Sequence, residues 1–118
     1  MVRKTRSSAS RRQSAIVVLV TAASRAEAGR ISRALIRAEL AACANVLPVR
    51  SLFRWKGKVC DTTETLLVIK SRADLFDMLT CEVKKIHSYE VPEIIAVPII
   101  HGAPDYLAWI SQVTRKSL

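Results

Sequence analysis

The chain has 118 residues, half of them apolar, with 19 bases against 10 acids for a net charge of +9. A domain of that length buries roughly 65% of its unfolded surface, so it folds without a metal or disulfide staple, and its apolar content excludes a disordered chain. No stretch approaches the ~20 consecutive apolar residues of a membrane-spanning helix.

The charge is unevenly placed, because Arg3, Lys4, Arg6, Arg11 and Arg12 all precede residue 14 and no acid accompanies them. Removing those five from the 19 leaves 14 bases against 10 acids, so the body is only mildly basic. Residues 1–14 read as a basic disordered tail ahead of one domain, 15–118. The tail's Ser/Arg-rich composition also fits an organellar transit segment, and Arg11-Arg12 before the apolar run at Ile16 fits the start of an export signal.

Ala15 to Thr21 is a β-branched run without polar alternation, which predicts a first strand buried on both faces. Ser24-Arg25-Ala26-Glu27 has the form of a capping box. The helix it opens carries Ala28, Ile31, Leu35 and Ala38 on one side and Arg30, Arg33 and Arg37 on the other, ending near Leu40. Cys43 to Trp55 is a second strand interrupted by Pro48, and Lys56-Gly57 turns it into a third, from Lys58 to Lys70. Ser71-x-x-Asp74 repeats the capping pattern before a second helix, with Leu75, Leu79, Val83 and Ile86 inward. Lys84, Lys85 and His87 fall at its C-terminal end, where the helix dipole favours cations. A fourth strand runs from Glu93 to Ile100, and Pro104 opens a third helix bearing Leu107 and Ile110.

This order predicts an α+β fold, a ferredoxin-like plait (βαββαβ plus a C-terminal helix) with an antiparallel sheet of order 4-1-3-2. Proline placement supports that order, since Pro48 and Pro98 lie in the two edge strands and strands one and three contain none. A plait covers one sheet face with helices, yet Val17 to Val20, Leu66 to Ile69 and Ile94 to Val97 present apolar side chains to both faces. Soluble monomers rarely expose so large a patch, so the open face is expected to be buried by other copies of the chain.

Cys43, Cys60 and Cys81 stand 17 and 21 positions apart, which matches no zinc or redox spacing, and their odd number argues against a disulfide framework. A reducing, cytoplasmic setting is the simplest expectation. The candidate site is the stretch His87-Ser88-Tyr89-Glu90-Val91-Pro92-Glu93, where an imidazole, a phenol and carboxylates run directly into the fourth strand. Its proline restricts Val91 to extended backbone.

Several segments together carry a family resemblance. They are Val18 to Ala22, Leu40-Ala41-Ala42-Cys43-Ala44-Asn45, Phe53-Arg54-Trp55-Lys56-Gly57-Lys58, Ile69-Lys70, His87 to Ile95, and Asp105-Tyr106-Leu107-Ala108-Trp109-Ile110. Over residues 15 to about 113 the chain resembles CutA, the divalent-cation tolerance proteins. The resemblance implies a homotrimer whose sheets pack against one another, an association with copper and other divalent cations, no enzymatic activity, and an architecture like that of PII-type signal transducers. It aligns His87 with the family's His-x-Tyr-x-x-Pro-Glu loop, as the candidate metal ligand. Val20 stands where some relatives carry cysteine, Ile86 where some carry a second histidine, and Ser88 where proline is expected.

Imidazole suits copper well, and the competing reading of His87 is a helix-end cation. Trp55, Lys70, Tyr89 and Glu93 are placed in a cleft between subunits, where a small ligand would bind in the PII-like alternative. Lys70 with Glu93 also reads as an ordinary ion pair, and Trp55 and Trp109 as packing anchors. Cys43 reads as a small buried thiol, Cys60 and Cys81 as incidental thiols, and His101 as a surface residue. No cofactor is required. Sequence-specific nucleic-acid binding through an RNA-recognition plait would need aromatics on strand three, which reads Thr-Leu-Leu-Val-Ile. An acylphosphatase-like hydrolase would need a glycine-bearing phosphate loop after strand one, where the chain has Thr21-Ala22-Ala23-Ser24-Arg25.

Overall fold

A computed structural model of the chain describes residues 14–116. Residues 1–13, and with them nearly all of the tail read as disordered, lie outside that range. The elements are β1 (Ala15–Ala22), α1 (Arg25–Arg37), β2 (Cys43–Trp55), β3 (Lys58–Arg72), a 3-10 turn (Ala73–Leu75), α2 (Phe76–Ile86), β4 (Ile94–Pro98) and α3 (Pro104–Val113). The sheet is antiparallel throughout, in the order β2-β3-β1-β4, which read from its other edge is 4-1-3-2. Pro48 and Pro98 thus occupy edge strands, where a missing amide is tolerated.

Alternation along β1 separates the two faces. Ile16, Val18, Val20 and Ala22 are buried. With Leu67 and Ile69 of β3, Ile31 and Leu35 of α1, and Leu79 and Val83 of α2, they form one core. On the other face, Leu19 lies opposite Val68 and Ile95, Val17 opposite Lys70 and Val97, and Leu66 opposite Leu47. Helix α3 is fixed at one end of this second face: Tyr106 Oη lies 3.7 Å from Cys43 Sγ, and Arg72 Nη1 donates to Thr114 Oγ1 at 2.8 Å. It leaves Ile95 at 51% and Val97 at 48% exposure, with Leu47 also exposed.

Beyond Ala22, where β1 stops opposite Thr65, β2 and β3 continue as a two-stranded ribbon. Seven residues per strand, from Val49 to Trp55, carry it about 24 Å past the sheet. Lys56 and Gly57, at φ 50° and 77°, close it in the left-handed pair that matches strand twist. Leu52, Phe53, Trp55 and Val59 are exposed along it.

Several local expectations need correction. Ser71 does not cap a helix, because β3 pairs with β1 as far as Arg72 opposite Ala15. The buried Ser71 hydroxyl instead donates to the Leu40 carbonyl at 2.6 Å, while Arg72 and Asp74 form a bidentate pair that is almost fully buried. The chain passes through the 3-10 turn before α2 starts at Phe76, without a side-chain cap. Ile86 is 38% exposed rather than inward. Strand β4 is shorter than predicted, because past Pro98 only the Ile99 amide, donating to the Ala15 carbonyl, still reaches β1.

Helix α1 ends at Arg37 rather than Leu40, and the reason is a reversal of the chain. Leu40 N–H donates to Leu35 O at 2.9 Å and Glu39 N–H to Ile36 O at 3.0 Å, with Glu39 left-handed at φ 57°. Glycine normally fills that position. Glu39→Gly is expected to raise stability by about 0.5–1 kcal/mol, the left-handed cost of a side chain less the extra unfolded freedom of glycine. A urea midpoint that falls instead would contradict this.

Candidate functional site

The loop after α2 is held by a set of polar contacts at the distal end of β1. Glu27, 4% exposed, supplies two of them. Its backbone N–H donates to the Ser24 hydroxyl at 3.1 Å, as a capping box requires, but its carboxylate does not turn back to the Ser24 amide. Instead Oε1 accepts from Ala23 N–H and Oε2 from Ser88 N–H, each at 3.0 Å. One carboxylate therefore ties the entry of α1 to the loop sixty-one residues later. Burial opposes its ionisation, but hydrogen bonds from Ser88 and Ala23 outweigh that and hold the carboxyl below its ordinary range.

His87 closes α2 with an extended backbone, and its ring turns inward. Tyr89 N–H donates to Nδ1 at 3.0 Å, so that nitrogen is the acceptor and Nε2 is the donor to the Thr21 carbonyl, 2.8 Å away. Both ring nitrogens are thus engaged. The Tyr89 ring leans on the imidazole at 4.8 Å between centroids, and its hydroxyl donates to Glu64 Oε2 at 2.5 Å. Burial and the Glu64 carboxylate push the phenol well above its ordinary value, which keeps it a donor at any physiological pH.

These contacts wall one end of a groove of about 730 Å³ between the loop and the root of the ribbon. Thr21, Glu64, Ser88, Tyr89, Glu90, Val91 and Glu93 line one part, and Arg50, Ser51, Leu52, Phe53 and Trp55 the other. Arg50 is paired with Asp61 through two hydrogen bonds, of 2.8 and 2.5 Å, which leaves the groove with a net acidic lining. Lys56 Nζ sits 5.7 Å from the Trp55 ring centroid.

Of the four residues expected in the cleft, Trp55, Tyr89 and Glu93 line this groove and Lys70 does not. Lys70 lies on the open sheet face and donates to Asn45 Oδ1, so the Lys70–Glu93 ion pair is not formed. Among the described residues, no three of His, Cys, Asp and Glu come together as a metal-ligand set. Cys43 is half-buried rather than buried, as is Cys60, and Cys81 is exposed. Glu64 was missed by sequence reasoning. It is one of two acids in a Thr-rich strand, with nothing local to set it apart from Asp61, and only the return of the loop over β1 reveals its partner.

Residues 16–113 match the family model described as CutA1 divalent ion tolerance protein. The chain belongs to the CutA1 family. A chloroplastic CutA 1 from rice is 45% identical over 103 residues, covering 86% of this chain and 58% of that protein. The divalent-cation tolerance protein CutA of Thermus thermophilus is 42% identical over 99 residues, covering 83% of this chain and 96% of its own length. The crystal structure of CutA1 from Oryza sativa matches with a TM-score of 0.86 at 43% identity, over 89% of this chain and 97% of that one. The chain spans a little over half the length of the rice, Arabidopsis and mouse CutA proteins that it matches.

The Glu27 contacts yield a prediction with a defined sign. A carboxyl whose pKa is lowered by folding stabilises the fold above its unfolded value, near 4.5, and loses that contribution as pH falls through the folded pKa. Glu27→Gln is expected to cost about 1.5–3 kcal/mol at neutral pH, the range for hydrogen bonds to a charged acceptor. The gap to the parent chain should close on acidification below about 4.5. Urea midpoints from pH 7 to 3 check it, and a gap independent of pH would refute the assignment.

Proposed function

We propose that this CutA family chain is a non-enzymatic homotrimer with the ferredoxin-like plait, which binds divalent cations, copper among them, at clefts between subunits beside the His87–Glu93 loop. The observation that carries the reading is an incompletely covered apolar face, with Val17, Leu19, Leu66 and Val68 half-buried and Ile95 and Val97 exposed. Helix α3 is too small to cover it, and the apolar ribbon next to it offers a second copy an arm to dock on. A neighbour seated there brings its own side chains to the loop. Since no three potential ligands converge within the described residues of one chain, a shared cleft is the natural place for a metal.

His87 is the proposed ligand of copper, with Glu90 and Glu93 as carboxylate partners from the same loop. To reach an ion, the imidazole must release Thr21 or Tyr89, at about 0.5–1.5 kcal/mol. Lys70, bonded to Asn45 on the open face, belongs in this reading to the assembly contact rather than to the ligand. A cytoplasmic setting is part of the same proposal, supported by three thiols that form no disulfide. The groove favours a second reading, a PII-like role with a small ligand bound by Trp55, Tyr89 and Glu93, because its volume falls in the usual ligand range.

Two measurements test these readings. Sedimentation equilibrium at micromolar protein is expected to return three times the chain mass of 13.1 kDa, and Ile95→Glu on the open face is expected to shift the population to single chains. A single-chain mass for the parent protein would remove the shared cleft. Calorimetric titration with copper is expected to show saturable binding that His87→Ala weakens at least tenfold. Unweakened binding would remove His87 as ligand, and no binding by the trimer would leave the small-ligand reading.

A further inference from the structure

Helix α1 has a second side that the core and the groove leave unused. Arg30, Arg33 and Arg37 are exposed there. At about 100° per residue they fall within roughly 60° of one another, turned away from the buried Ala28, Ile31 and Leu35. Arg30 and Arg37 stand about 10 Å apart along the helix axis. The only acid of α1, Glu27, is buried and committed to Ala23 and Ser88. Among the described residues no carboxylate pairs with any of the three arginines. Gly29 leaves room for one of them, since a methyl group at that position would stand 3.3 Å from the Arg33 guanidinium. Helix α2, which packs beside α1, adds exposed Lys84 and Lys85 at its end, the latter 3.6 Å from Glu82.

We propose that this face of α1 binds the phosphodiester backbone of nucleic acid without reading its sequence. Guanidinium groups pair with phosphate through two parallel hydrogen bonds, and a row of unneutralised arginines on a rigid helix meets successive phosphates without reorganising. The charge is complementary, and among the described residues no carboxylate is ion-paired with it; exposed Glu39 lies beyond the last turn of α1. An anionic lipid surface fits less well: the apolar side of α1 is spent in the core, and Ile36 is its only large apolar side chain that is exposed, so there is nothing to insert among acyl chains. The helix carries no aromatic residue on which a base could stack, which confines contact to the backbone. Because α1 covers the sheet face opposite the open one, its arginines remain outward when copies bury that open face. This binding does not depend on any cation site.

The test is anisotropy titration of labelled DNA duplex and single-stranded RNA, each about 30 units long, with the full chain between 50 and 200 mM salt. R30Q/R33Q/R37Q is expected to weaken binding at least tenfold at the lowest salt. It should flatten the slope of log affinity against log salt by about 2.7 on duplex, or about 2.1 on RNA, for three lost phosphate contacts. R30K/R33K/R37K keeps the charge and is expected to retain the slope, which separates loss of contact from loss of fold. The same arginine-dependent change should persist in a chain lacking residues 1–14. Binding and slope untouched by R30Q/R33Q/R37Q, with all retention lost on removing residues 1–14, would overturn the proposal. So would arginine-dependent capture of phosphatidylserine vesicles with no affinity for duplex or RNA.

Discussion

A four-stranded sheet with two apolar faces and full helical cover for only one of them sets the terms for the rest of this molecule. Helices α1 and α2 seal the face that carries Val18, Val20, Leu67 and Ile69. The other face has only α3, tied by Thr114 and Tyr106 to one end. Apolar side chains such as Ile95 and Val97 therefore stand half in water in the single chain, each able to contribute about 1 kcal/mol if the exposed half were buried. That exposure is what the proposed assembly rests on. It also explains why edge strand β2 can run on into a long ribbon with exposed Leu52, Phe53 and Trp55: an isolated ribbon of that kind is marginal in water until something packs on it.

The far end of β1 is organised by polar contacts instead. Thr21 offers its carbonyl to His87, Glu27 holds Ala23 and Ser88, and Tyr89 reaches Glu64. All but the Ala23–Glu27 bond join segments distant in sequence, and each involves a group that is costly to bury alone. Together they fasten the loop as one wall of the groove. His87, with both ring nitrogens engaged, serves there as an anchor.

Charge is partitioned along the same lines. The groove is lined by Glu64, Glu90 and Glu93 with an arginine already neutralised by Asp61, while the outward face of α1 carries three arginines and no exposed acid. A net charge of +9 conceals this division. The two proposed kinds of partner, cations and polyanions, therefore fall on separate surfaces of opposite charge and would not compete.

By itself the amino-acid sequence determined the order of the elements, the hairpin at Lys56-Gly57 and the inward stripe of α1, because those follow from local period, turn chemistry and proline placement. It also carried the family, in the run from His87 to Ile95. Tertiary structure alone decided the fate of isolated polar residues. Ser71 looks like a helix cap until β1 holds its strand extended and Leu40 takes its hydroxyl. Lys70 looks like a partner of Glu93 until pleating turns it toward Asn45. Glu64 has no signature at all, since its partner Tyr89 arrives from twenty-five residues away over the end of another strand. The physical reason is range: backbone preferences act over a few residues and are written locally, whereas a side-chain hydrogen bond is settled by whichever distant group the fold brings within about 3 Å.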